Sequence, residues 1–231
     1  MKRPLPLREV WQTERGLSLM LVFLVLSLFV GAPLVAAGTV GPYLFDVLFS
    51  LLMVSGVVAV SQRKILRFTV SALAIATLVV RWWSYGARGT TSLLLGDALS
   101  IVSLSVLVAF VLVQVFREGP VTGYRIQGAI VVYLLLGLIF SSAYEIVERA
   151  VPDSFSYSSP GAAGSGINFR LTHGLVYYSF VTLTTLGYGD ITPVHPVARS
   201  LAVAEALIGQ LYPAILIARL VSLEIESRRR P

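Results

Sequence analysis

The chain has 231 residues, 56% of them hydrophobic, with 18 basic against 12 acidic residues, no cysteine and a mean hydropathy of +0.81. A soluble domain would be about 45–50% apolar, so that class is excluded, and the missing thiol rules out disulfides, thiolate metal sites and cysteine nucleophiles. The basic residues stand in small groups between apolar runs, without interleaved aromatics, which argues against nucleic acid as a partner and for a membrane protein.

Residues 1–16 form a basic amino-terminal segment. A spanning helix takes about 20 apolar residues, and six runs of that size follow: Leu17–Ala37, Tyr43–Ser61, Ile65–Trp83, Leu93–Phe116, Tyr124–Tyr144 and Pro196–Leu223. The first, with "VAAG" at Val35 to Gly38, imitates a secretory signal, but its apolar run is too long and Glu9 and Glu14 sit in the would-be basic part. It reads as an uncleaved helix. The expected organisation is a four-helix unit over 17–116, a linker at 117–123, a second unit over 124–223 and a basic tail at 224–231. Between the fifth and sixth runs lies a shorter one, Leu171 to Thr184, which reads as a re-entrant half-helix. The fold class is thus an all-α integral membrane protein with six transmembrane helices, one half-helix and an irregular loop.

Sorting lysines and arginines by loop gives 13 on one side (Lys2, Arg3, Arg8, Arg15, Arg63, Lys64, Arg67, Arg117, Arg125, Arg219, Arg228, Arg229, Arg230) and 5 on the other (Arg81, Arg88, Arg149, Arg170, Arg199). The positive-inside rule then makes both termini cytoplasmic and turns the loop after the half-helix outward. Arg81 and its neighbours at the run ends read as snorkelling side chains. Arginine far outnumbers lysine, which suggests a G+C-rich bacterial genome and so a bacterial plasma membrane.

The polar exception is "TLTTLGYGDITP", Thr182 to Pro193. Irregular backbone at membrane depth must be buried in protein or line water. Gly187 and Gly189 alternate with Leu186 and Tyr188, and glycine reaches both signs of φ cheaply, so successive carbonyls can face one axis. Such a column replaces the hydration shell of a bare cation. One loop cannot surround an ion, so closed cyclic symmetry about the ion path is needed.

"TTLGYGD", Thr184 to Asp190, resembles the signature of potassium channels, with leucine where valine is commoner. The resemblance extends from Tyr124 to Leu223. It implies a homotetramer in which the carbonyls of Thr185, Leu186, Gly187 and Tyr188, with Gly189 above them and the Thr185 hydroxyl below, bind permeant K+ without any cofactor. It also implies a cuff of Tyr177 and Tyr178 around Tyr188, support from Thr184, and Asp190 concentrating cations at the outer mouth. Some family members carry a glutamate at the position of Val181 that pairs with the acid corresponding to Asp190; here that partner is missing. A potassium uptake transporter subunit is the alternative, although such proteins carry several degenerate loops per chain.

In the sixth run Pro213 frees the carbonyl of Gly209, four residues back. Gly209–Pro213 reads as a gate hinge. Gln210 and Ile217 are expected to face a cavity below the filter. Glu205 lies about 140° round the helix from Gln210 and either tunes the pore or pairs with a neighbouring helix. The fourth run carries no basic residue, so weak voltage dependence is expected. Arg228–Arg230 could meet anionic lipid, and the residues after Leu223 are too few to fold alone. "PGAAGSGIN", Pro160 to Asn168, reads as an outer turret and not a nucleotide loop. His173 and His195 have no ligand-spaced partner, and Ser165 lacks a nucleophile-elbow context.

Overall fold

The computed structural model describes the backbone of residues 7–31, 34, 43–59, 64–87, 89–116, 122–158 and 167–229. The side chains of 7–15, 64–66, 85–87, 167–173 and 226–229 lie outside that description. Most of the expected turret, the first part of the linker, the side chain of His173 and the Arg228–Arg230 cluster fall outside it too.

Helix α1 (Leu7–Val25) continues through a π-helical turn at Leu26–Gly31, and α2 (Tyr43–Ala59), α3 (Lys64–Ala87), α4 (Thr90–Val115) and α5 (Gly123–Ala150) follow. The half-helix is α6 (Ile167–Leu183), and α7 (Pro196–Arg229) is the longest element. Two three-residue strands depart from the all-helical expectation: β1 (Phe155–Tyr157) pairs antiparallel with β2 (Ile191–Pro193). A pairing between the turn after α5 and the end of a loop has no local sequence signal.

Among the described residues three helices are long and apolar enough to cross a membrane, at Thr90–Val115, Gly123–Ala150 and Pro196–Ile225. Shorter apolar helices cover Gly16–Gly31, Tyr43–Ala59 and Gly174–Leu183. Helix hydroxyls are turned back onto their own backbone: Ser27 donates to the Phe23 carbonyl, Ser84 to Val80 and Ser100 to Gly96. That removes polar atoms from an apolar surround without needing water.

Helix α4 packs along α5, α1 along α2 and α5, and α3 along α4. Leu24, Leu52, Leu104, Val111, Val131 and Leu135 form the buried core between them. A second, smaller core of Phe140, Tyr144, Phe155, Leu175, Tyr178 and Ala198 sits between α5, α6, α7 and the ribbon.

Two arginines depart from expectation. Arg81 was expected to snorkel, yet it turns inward, with Nη2 2.6 Å from Asp46 and its guanidinium 4.6 Å from the centre of the Phe49 ring. Arg149, counted among the outer loops, is buried between Asp97 at 3.1 Å and Glu145 at 2.8 Å. Buried guanidinium groups need carboxylate partners, and these partners come from other helices or one turn away.

Candidate functional site

The loop of interest begins where α6 ends. A helix leaves its last carbonyls without intrahelical donors, and here the loop's own N–H groups supply them. Thr184 N–H donates to Phe180 O (3.1 Å), Thr185 N–H to Thr182 O (2.9 Å), Leu186 N–H to Val181 O (2.9 Å) and Gly187 N–H to Val181 O (3.4 Å). The Thr184 hydroxyl reinforces the first at 2.7 Å. Leu183 O accepts from the Tyr133 hydroxyl at 3.2 Å.

With the N–H groups of Thr184 to Gly187 turned back into α6, the loop has its acceptors left over. Among the described residues no donor reaches the carbonyls of Thr184 through Gly189. The backbone alternates in sign of φ, positive at Thr185 (57°), Gly187 (61°) and Gly189 (78°) and negative at Leu186 and Tyr188 between them. Alternation of this kind turns successive carbonyls toward one side. The two glycines were expected in that conformation; Thr185 was not. A β-branched residue there costs about 1–2 kcal/mol, and such strain gathers at functional sites.

At the outer end the loop is fastened again. Ser158 N–H donates to Asp190 O (2.9 Å), Val194 N–H to Ser154 O (2.7 Å), and β2 lies on β1 between those bonds. The Asp190 carboxylate accepts from Ile191 N–H (3.1 Å). Val181 is buried. His195 accepts through Nδ1 from Val197 N–H (3.3 Å), which gives it a local structural role at the start of α7.

The tyrosines divide. Tyr188 is 67% exposed and Tyr177 41%, whereas Tyr178 is buried edge-to-face against Tyr144 (5.0 Å) and Phe155 (5.2 Å). Within one chain Tyr178 therefore stiffens the second core behind the loop.

On α7, Gln210 and Ile217 are exposed, and Pro213 sits half-buried in an unbroken helix. Gly209 is buried, and a β-carbon there would collide with the Leu183 carbonyl oxygen. Only glycine lets α7 approach the end of α6 this closely. The question left open for Glu205 is resolved toward a neighbouring helix. It is fully buried, its Oε2 accepts from the Tyr144 hydroxyl at 2.6 Å, and its Oε1 meets Ser179 Oγ. An acid inside an apolar run was the visible signal; its partners on α5 and α6 were not.

Residues 128–226 match the family described as "Ion channel". Protein LctB of Geobacillus stearothermophilus is 38% identical over 88 residues, covering 38% of this chain and 62% of that protein. Two pore potassium channel c of Oryza sativa subsp. japonica is 34% identical over 90 residues, 39% of this chain and 17% of that one. Inward rectifier potassium channel Kirbac3.1 of Paramagnetospirillum magnetotacticum is 30% identical over 87 residues, 36% of this chain and 24% of its own. The chain covers less than two thirds of the length of each of these relatives, and the family match lies in its second half. No solved structure gives a significant match.

Proposed function

We propose that this chain is the subunit of a potassium-selective membrane channel, and that four copies surround one ion path. The observation that carries this is the run of unpaired carbonyls at Thr184–Gly189, alternating in φ and exposed at the end of a half-helix. Unsatisfied acceptors at membrane depth are costly unless something fills them, and a dehydrated cation does. The ion-channel family match and the two potassium-channel relatives favour K+ as that cation.

In this reading Thr185, Leu186, Gly187 and Tyr188 supply the ion-binding oxygens, with Gly189 and Asp190 at the outer mouth. The carboxyl end of α6 adds roughly half a negative charge toward an ion below the loop. The exposed face of α7 meets its copies and lipid, with Gln210 and Ile217 toward the cavity. Opening pivots α7 about Gly209–Pro213, because Gly209 is held at Leu183 while Pro213 withholds one backbone bond below it. Six spans, cytoplasmic termini, a bacterial plasma membrane and contact of Arg228–Arg230 with anionic lipid complete the proposal.

Purified protein in planar bilayers tests it. A reversal potential that follows the K+ gradient and ignores Na+, with a subunit count of four, is the expected result. Equal permeability to both ions, or no current with intact protein, overturns it.

A further inference from the structure

We infer that Glu205 carries a proton and, as a neutral acid, is the positioning residue that holds α6, and with it the base of the filter loop, against α5 and α7. The role in conduction rests on the channel reading above; the proton does not.

Two observations carry the proton: an inventory of hydrogens, and the burial of the acid away from any described cation. Ser179 Oγ lies 2.7 Å from the Gly137 carbonyl oxygen and also within hydrogen-bonding distance of Glu205 Oε1. A serine hydroxyl has one hydrogen and a carbonyl has none. If Ser179 donates to Gly137, the close contact with Oε1 needs a hydrogen from the acid. Were Glu205 ionised, Ser179 would have to give its one hydrogen to Oε1 and leave the Gly137 carbonyl to its helical partner alone, and a full negative charge would stand in the apolar wall with two hydroxyls and no cation among the described residues. The other carboxyl oxygen is already served by the Tyr144 hydroxyl at 2.6 Å. The relay from Glu205 Oε1–H to Ser179 Oγ–H to Gly137 O, with Tyr144 O–H donating to Oε2, uses each hydrogen once.

The surroundings agree. Glu205 is 0% exposed. From α5 it is faced by Tyr144 and Tyr133, and from α6 by Ser179 and Tyr178. Among the described residues no lysine, arginine or histidine stands close enough to pair with it. Asp46, Asp97 and Glu145, by contrast, each meet a guanidinium. A buried carboxylate without a cation is the unfavourable arrangement, and retaining the proton avoids it.

One side chain from α7 thereby ties two points on α5 and one on α6. Ser179 stands four residues before Leu183, where α6 gives way to the filter loop. Loss of the proton at alkaline pH would leave an uncompensated charge in the apolar wall. The hold is thus present in the neutral form and lost as pH rises.

Glutamine mimics the neutral acid, since its amide nitrogen donates to Ser179 and its oxygen accepts from Tyr144. Infrared spectra of the full chain in lipid at neutral pH should show a protonated-carboxyl stretch that is absent from Glu205→Gln and displaced in Ser179→Ala. No difference between wild type and Glu205→Gln would overturn the proton whether or not the protein conducts. In the same liposomes K+ flux of the wild type should fall several-fold from neutral to alkaline pH, while that of Glu205→Gln stays level. Equal alkaline loss in both, or no loss in either, would overturn the positioning role.

Discussion

The two halves of the chain treat polarity in opposite ways. In the first, with α5, buried charges find partners inside the chain: Arg81 with Asp46, Arg149 with Asp97 and Glu145. In the second, the carbonyls of Thr184–Gly189 find none among the described residues. Apolar surface follows suit, for the spanning windows of α4 and α5 are 39% and 44% buried within the chain and that of α7 only 11%. The first half is finished by its own folding. The second presents surface and acceptors that its own fold, among the described residues, leaves unfilled.

The sharpest way to break this contrast is to disturb the unpaired side. Gly187→Ala forces a side chain into positive φ at about 1–2 kcal/mol per copy, and K+ flux into liposomes should be abolished while the protein still inserts. Next comes the paired side. Asp46→Ala strands Arg81 and should cost about 3–5 kcal/mol, seen as a lower melting temperature by tryptophan fluorescence. Adding Arg81→Leu should recover most of that loss, because an apolar pair replaces a buried ion pair at little cost. Ion selectivity should not change in either variant. Where the halves meet, Gly209→Ala overpacks the contact with Leu183 at about 1–3 kcal/mol, so the melting temperature and K+ current should fall together. Unchanged values would mean that α7 does not touch α6 there. The smallest effect concerns voltage. Each gating charge contributes about 2.3 kcal/mol per 100 mV, but α4 carries no basic residue and Arg81 is held by Asp46. The conductance–voltage curve should be shallow, and a steep one would show that these pairs exchange.

Much of the second half was legible because its signals are local. Glycine alternation, a short apolar run before it and a proline four residues after a glycine can be read by eye. The half-helix was expected at Leu171 to Thr184 and occupies Ile167–Leu183. The positive φ of Thr185 was hidden, since threonine has no preference for it and the surrounding bonds impose it. The partners of Arg81 and Glu205 lie 35 and 61 or 26 positions away, and no periodicity reports such distances. The ribbon was missed for the same reason: Phe155–Tyr157 is too short to read as a strand until Ile191–Pro193 arrives beside it.

That ribbon gives the loop after α6 a second anchor. Its lower end is tied to the carbonyls of α6 and its upper end, through Asp190 and β2, to the chain leaving α5. A strand strung between two fixed posts can neither shorten nor slide. In the proposed channel, any response of this segment to an empty or occupied path would then come from peptide planes swivelling in place, one carbonyl at a time.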